Sequence, residues 1–235
     1  MKILVIDVGG TRVKFLATGH KTHREIASGS AMTARKMVTA VKQLAKDWKY
    51  DAVTIGYPGP VLRGRPAFEP HNVGGGWVRF DFATAFGCPV RIVNDAAMQA
   101  LGAYRQGSML FMGLGTGLGT ALVVNGELAP MELGQLPYKK NRTYENYLGA
   151  AGLKRLGKRK WRKHVKNVAT RFKAAGEAEY LVVGGGNARK LKALPAGARR
   201  VDNMNAFVGG FRLWDDKSPA RAKRKASTRS RQKTL

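Results

Sequence analysis

Apolar and polar positions along the chain follow one plan twice. Residues 3–8 form an apolar run. A turn follows at Gly9, Gly10 and Thr11, and Val13, Phe15 and Ala17 then alternate with polar neighbours, the period of a half-buried strand. Residues 111–127 repeat strand, turn and strand about Gly115, Thr116, Gly117 and Gly119, so the chain reads as two related halves. Elsewhere the period lengthens. Met37, Val38, Val41, Leu44, Ala45 and Trp48 recur at helical spacing behind Thr33, predicting a helix over 33–48 with Thr33 as its cap. The same reading predicts helices over 82–86, 96–104, 158–172 and 205–214, and buried strands over 52–56, 89–93 and 180–183.

A glycine turn between two strands is most often only a hairpin, but bare glycine backbone also presents N–H groups that can close around phosphate oxygens. Two copies strengthen the second reading, and the first adds Asp7 at a strand end, where a carboxylate can hold hydrated Mg²⁺. No Gly-Lys-Ser/Thr follows either turn, and each leads into a strand, which excludes a Walker A loop and a Rossmann fingerprint. Asn94-Asp95 stands between a predicted strand and a predicted helix. Asp95 there reads as a helix cap, as a base facing the strand-end crevice, or as both. Glu132 and Glu145 are further loop carboxylates, Asn72 and Trp77 belong to a Gly-rich loop, and Gly184-Gly185-Gly186-Asn187 ends the strand over 180–183.

With 235 residues, 44% of them hydrophobic, the chain has material for one large or two small cores. The single cysteine, Cys88, excludes an internal disulfide and a Cys-rich zinc site. The residues carry no signal peptide and no membrane-length apolar run, so a cytoplasmic protein is expected. Charge changes the picture more. At +27 the chain should seek polyanions. Eight Lys or Arg and no acid follow Asp216, composing a disordered basic tail over 215–235 with nucleic acid as a candidate partner. Eleven more lie between Lys139 and Lys166 against Glu145 alone. Among them Arg159, Arg162, Lys163 and Lys166 share a helix face, either a solvated surface or a track for a polyanion.

Taken together, these residues resemble the ROK family (repressor, open reading frame, kinase), and within it the polyphosphate glucokinases. The resemblance rests on Asp7-Val-Gly-Gly-Thr, Pro58-Gly59-Pro60, Asn72 to Trp77, Asn94-Asp95, Gly115-Thr-Gly-Leu-Gly, Glu132-Leu-Gly-Gln and Val183-Gly-Gly-Gly-Asn, in that order. It implies an actin-like ATPase (ribonuclease H-like) α/β fold: one lobe over 1–106, a second over 107–204, a cleft between, and the helix over 205–214 returning to the first. It implies a kinase that transfers a phosphoryl group from polyphosphate or ATP to the 6-hydroxyl of glucose or a related hexose. Asp95 would be the base, while Asn72, Asn94, Glu132, Gln135 and Glu145 would contact the sugar. Asp7, Gly9, Gly10, Thr11, Lys14, Gly115, Thr116, Gly117, Gly185 and Gly186 would manage phosphates and nucleotide, with Mg²⁺ at Asp7, no zinc, and a homodimer as a possible assembly. Gln135 departs from the family's histidine, which puts sugar identity and rate in question. The alternative reading is a weakly catalytic relative that binds polyanions.

Overall fold

A computed structural model of the chain describes residues 1–215. The basic tail expected over 215–235 therefore lies, beyond Asp215, outside the described residues. The first half builds strands β1 (Ile3–Val8), β2 (Arg12–Ala17) and β3 (Arg24–Ala27), helix α1 (Ala34–Leu44), and strand β4 (Ala52–Tyr57). A small hairpin, β5 (Val61–Leu62) with β6 (Arg65–Pro66), precedes helix α2 (Phe82–Phe86) and strand β7 (Val90–Asn94). Helix α3 (Asp95–Ala103) leads into the second half, with β8 (Ser108–Leu114), β9 (Leu118–Val124) and β10 (Glu127–Met131). After a hairpin of β11 (Pro137–Lys139) and β12 (Arg142–Thr143) come helices α4 (Tyr144–Leu148) and α5 (Ala150–Ala175). Strands β13 (Tyr180–Gly184) and β14 (Ala198–Arg200) and helix α6 (Met204–Arg212) complete it.

The duplication is plain in the sheets. One has the order β3-β2-β1-β4-β7 and the other β10-β9-β8-β13-β14, each three antiparallel strands extended by two parallel ones. β4 is buried along its whole length, as a central parallel strand must be, and the hydroxyl at its middle, Thr54, is satisfied by the last part of the described chain. Thr54 Oγ1 donates to Gly210 O at 2.9 Å and accepts from Trp214 Nε1 at 2.8 Å. Helix α6 is thereby fastened to the first sheet.

Each sheet is followed by a helix, α3 after β7 and α6 after β14, and the two cross at a point with no room for side chains. A Cβ on Gly102 would lie 1.8 Å from Asn205 O, and one on Gly209 would lie 1.8 Å from Met98 O. Arg212 closes the same joint by donating to the carbonyls of Leu101, Gly102 and Tyr104 at 2.8, 3.2 and 3.0 Å, a cationic cap on the C-terminus of α3.

The structure departs from the sequence-based expectation at several ends. α1 stops at Leu44 rather than 48, because Arg24 donates to Leu44 O and holds Asp47 through Nη2 at 2.7 Å, capturing the last turn. The helix expected over 158–172 begins at Ala150, with a break at Gly157, whose φ of 69° only glycine adopts cheaply. β10 carries Pro130 at a sheet edge, where its missing N–H costs no ladder bond. Among the described residues no helix is long and apolar enough to cross a membrane.

Replacing Gly209 by Ala should force the α3 and α6 backbones apart. We expect a loss of about 1–3 kcal/mol or more, typical of overpacking against rigid atoms. Thermal unfolding monitored by circular dichroism checks it, and an unchanged midpoint would mean that the helices separate freely.

Candidate active site

The C-terminal end of β7 and the N-terminus of α3 set the chemistry. Asn94 is 5% exposed and caps α3: its Oδ1 accepts from Ala97 N at 3.0 Å. Its Nδ2 donates to Gly59 O and to Glu132 Oε1, each at 3.2 Å, so one amide joins the Pro58-Gly59-Pro60 loop to the second half. The cap that the sequence offered to Asp95 thus belongs to its neighbour. Asp95 occupies the first helical position, where Oδ1 accepts from Ala96 N at 2.7 Å. Its carboxyl keeps a partly exposed face, but the surrounding protein desolvates it, and the nearby Asp7 and then Glu132 add like charge. The pKa is pushed up to about 7, while the Ala96 bond pulls the other way. That value suits a base working near neutrality.

Asp7 is the penultimate residue of β1 and its pKa is raised to about 6 by burial, with Lys14, its partner across the β1–β2 hairpin, pulling it down. Gly9 N closes the hairpin on Arg12 O at 3.0 Å, and Gly10 lies against Asn72, whose Cβ is 3.0 Å from where a glycine side chain would begin. Thr11 is exposed at the turn. Asn72 and the first glycine turn therefore face each other.

The second turn is more occupied than a bare nest. Gly115 N donates to Gly117 O at 3.2 Å, and Thr116 O accepts from Ala150 N at 3.0 Å, which fixes the turn on the start of α5. The Thr116 side chain stays exposed. Beneath it lies Glu145, whose Oε2 accepts from Leu118 N at 3.0 Å and would sit 2.2 Å from a Cβ on Gly117. One carboxylate expected to meet sugar hydroxyls thus also anchors the second glycine turn. Glu132, open to solvent at the mouth of the site, has its pKa raised by the protein around it and by Glu145. Gln135 ends the 3₁₀ turn Leu133–Gln135 with its side chain exposed and its N–H bonded to Glu132 O at 3.1 Å.

Gly185 and Gly186 follow β13, and the asparagine after them ties this segment to the second turn. Asn187 N donates to Leu114 O at 2.8 Å and its Nδ2 to Gly115 O at 2.9 Å. On α5, Arg159, Lys163 and Lys166 are exposed, whereas Arg162 is half-buried with Nε donating to Lys190 O at 2.7 Å. Among the described residues none of these four cations is paired with a carboxylate. Sequence reasoning missed Lys190, whose only signal was one more positive charge in a basic stretch.

A model of the ROK family matches residues 3–134, over half of the chain and from the first strand through the Glu132-Leu-Gly turn. The chain belongs to the ROK family. Its fold is the two-lobed actin-like ATPase α/β fold, shared with solved ROK structures. The inorganic polyphosphate/ATP-glucomannokinase of Arthrobacter sp. strain KM aligns with a TM-score of 0.76 at 22% identity, over 89% of this chain and 96% of that one. The ROK family glucokinase of Streptomyces griseus, solved with glucose and AMPPNP, aligns at 0.70 and 17% identity over 91% and 99%. In sequence, the bifunctional enzyme NanE/NanK of Brucella melitensis is 27% identical over 144 residues, which span 54% of this ROK chain and only 27% of that protein.

Hard oxygen donors that repel one another suit a small divalent cation, and Asp7 with the nearby Asp95 supplies them, so the residues present fit Mg²⁺. Among the described residues no group of three His, Cys, Asp or Glu forms a metal site. A separate cavity of about 390 Å³ lies between α5 and the loop before β14, lined by Ala169, Lys173, Glu177, Leu181 and Pro195. It adjoins the start of β13, away from Gly184, and holds none of the residues above.

A carboxyl whose folded pKa is raised binds its proton more tightly folded than unfolded. It therefore costs stability progressively as pH rises from about 4 to about 7, and the full cost persists above that. Asp95→Asn should raise Tm at pH 8, by about 2–4 °C per kcal/mol removed, with the gain vanishing near pH 4. Calorimetry at both pH values checks this, and an equal change at each would mean that charge is not its source.

Proposed function

We propose that this ROK protein is a sugar kinase in which Asp95 takes the proton from a hexose 6-hydroxyl as that oxygen attacks a terminal phosphoryl group. The observation that carries the reading is the division of labour at the α3 N-terminus: Asn94 caps the helix, and Asp95 is left as a desolvated carboxyl with a pKa near 7 beside Asp7. Phosphoryl transfer asks for position and charge neutralisation more than for covalent help. Asn72, Glu132, Gln135 and Glu145 would orient the sugar, and Asn94 would hold Glu132 in register with Asp95. Mg²⁺ held at Asp7 would neutralise phosphate charge. Gly9, Gly10, Thr11, Lys14, Gly115, Thr116, Gly117, Gly185 and Gly186 would surround the donor.

Polyphosphate, ATP or both serve as donor in this proposal. The likeness to the Arthrobacter glucomannokinase fold supports it, as does the unpaired basic face of α5. Binding of polyanions without catalysis is the rival. A coupled assay of the whole protein with glucose, mannose and N-acetylmannosamine against ATP and polyphosphate separates the two, since the rival predicts no sugar phosphate in any well.

In that assay Asp95→Asn should lower kcat at least about 100-fold while leaving hexose binding intact. The wild-type rate should rise with pH through about 7 and then level off, because the base works deprotonated. Near-normal turnover in the mutant, or a rate that falls across that range, would remove Asp95 from the chemistry.

The α5 face makes a separate claim. A long polyphosphate carries about one charge per phosphate and gains from each counterion it releases, while ATP needs only a few cations. Neutralising Arg159, Arg162, Lys163 and Lys166 together should raise KM for long polyphosphate more than about tenfold and flatten its salt dependence, with ATP kinetics nearly unchanged. Equal losses for both donors would reduce the face to a support of the fold.

A further inference from the structure

The glycine turns provide fewer free donors than their sequence promises. Gly9 N is spent on Arg12 O, Gly115 N on Gly117 O, and Leu118 N on Glu145 Oε2. Neither turn is followed by the lysine of a Walker loop. A phosphate chain entering this site therefore needs positive side chains beside the turns. Lys14 flanks the first turn, across from Asp7. Lys190 flanks the second.

Its placement is fixed by a relay of hydrogen bonds. Asn187 Nδ2 donates to Gly115 O at 2.9 Å, and Lys190 Nζ donates to Asn187 Oδ1 at 2.8 Å, so the ammonium stands one side chain away from the turn. The main chain of Lys190 is equally tied: its N–H donates to Asn187 O at 2.9 Å, and its carbonyl accepts from Arg162 Nε at 2.7 Å. The half-buried Lys190 is thus the link between the turn and the basic face of α5. The flanking Arg189 and Lys192 are exposed. Among the described residues no carboxylate pairs with Lys190. Its ammonium uses one of three protons on Asn187 and has donors left for an anion.

We propose that Lys190 Nζ forms a phosphate subsite for the part of the donor beyond the transferred group, and passes a phosphate chain from the second glycine turn to Arg162 and the α5 face. This rests on the reading that the cleft takes a phosphoryl donor, and it adds which class of donor the exit favours. A nucleoside leaving the turn in this direction would meet cations where a flat base wants apolar or stacking surface. A further phosphate meets the charge it needs. Lys190 is accordingly a residue that selects inorganic polyphosphate over nucleotide.

The test uses the whole protein and two probes, inorganic tripolyphosphate and long-chain polyphosphate, with binding measured by calorimetry without sugar. Lys190→Gln keeps an amide donor near Asn187 but removes the charge, and Lys190→Arg keeps the charge. We expect Lys190→Gln to weaken tripolyphosphate binding about tenfold or more, and Lys190→Arg to restore most of it. The slope of log affinity against log salt for the long chain should fall by about 0.7 in Lys190→Gln, one counterion fewer. Glucose affinity and Tm should hold. Unchanged tripolyphosphate affinity in Lys190→Gln overturns the proposal, as does a loss that Lys190→Arg shares, which would make Lys190 a prop for Asn187. The kinase reading fails separately: Lys190-dependent tripolyphosphate binding with no sugar phosphorylated from any donor would leave the subsite standing and remove the reaction.

Discussion

Everything at the proposed site hangs on a crossing of two helices whose backbones touch. At Gly102 and Gly209 the main chains of α3 and α6 pass so closely that even a methyl group would overlap carbonyl oxygens. This contact sets where α3 lies, and α3 carries Asp95 on its first residue. Arg212 fills the three carbonyls at the other end of α3, and Thr54 binds α6 and Trp214 to the centre of the first sheet. The proposed base is therefore positioned from behind, by the packing of α3 against α6. The duplicated sheets gain their junction from the same pair, since α3 and α6 occupy matching places after β7 and β14.

Charge is arranged around that frame in two opposing fields. Asp7, Asp95, Glu132 and Glu145 gather acid at the site, from the desolvated Asp7 and Asp95 to the exposed Glu132, and these three hold protons more tightly than free carboxyls do. Outside lies a shell of cations on α5 and on the segment after β13. In the proposed reaction an anion approaching from solvent would be drawn in by the shell and would meet carboxylates only at its reacting end. Asn94 joins the two halves by donating to Gly59 O and Glu132 Oε1, and Glu145 orders the second half by accepting from Leu118 N.

Much of this was legible in the chain, for physical reasons that differ by element. The two glycine turns show because strand alternation on both sides of a glycine cluster has few other meanings, and α2 shows because Phe82 and Phe86 bracket one apolar turn. β3 and β14 were missed: both are short sheet edges, half-exposed and polar, with no period to read. The first turns of α5 were missed because Gly149, Gly152 and Gly157 lower helix propensity, while packing against α4, including Trp161 Nε1 on Leu148 O at 2.9 Å, restores it. At the site, Asp95 was legible by its place between strand and helix. The exchange of capping duty to Asn94 was not, because both side chains are good caps and only tertiary contacts to Gly59 and Glu132 decide between them. Lys190 was invisible for the opposite reason: among so many cations, nothing in sequence marks the one that a relay of amides points at the turn.

The fastening of β4 by α6 also bears on how the molecule is made. Thr54 and Gly210 are 156 residues apart, yet the hydroxyl at the centre of the first sheet finds its partners only in the last described helix. On a ribosome adding about 5–20 residues each second, the first lobe emerges many seconds before that helix does. Throughout this interval Val5 and Leu16 have no Phe207 to cover them, and α3 has neither its glycine partner nor its arginine cap. The nascent chain thus carries an unfinished first lobe while the second is being made. Completion of the proposed site's frame waits on α6, and a chain halted before Gly210 would hold every proposed catalytic side chain without the joint that aims them.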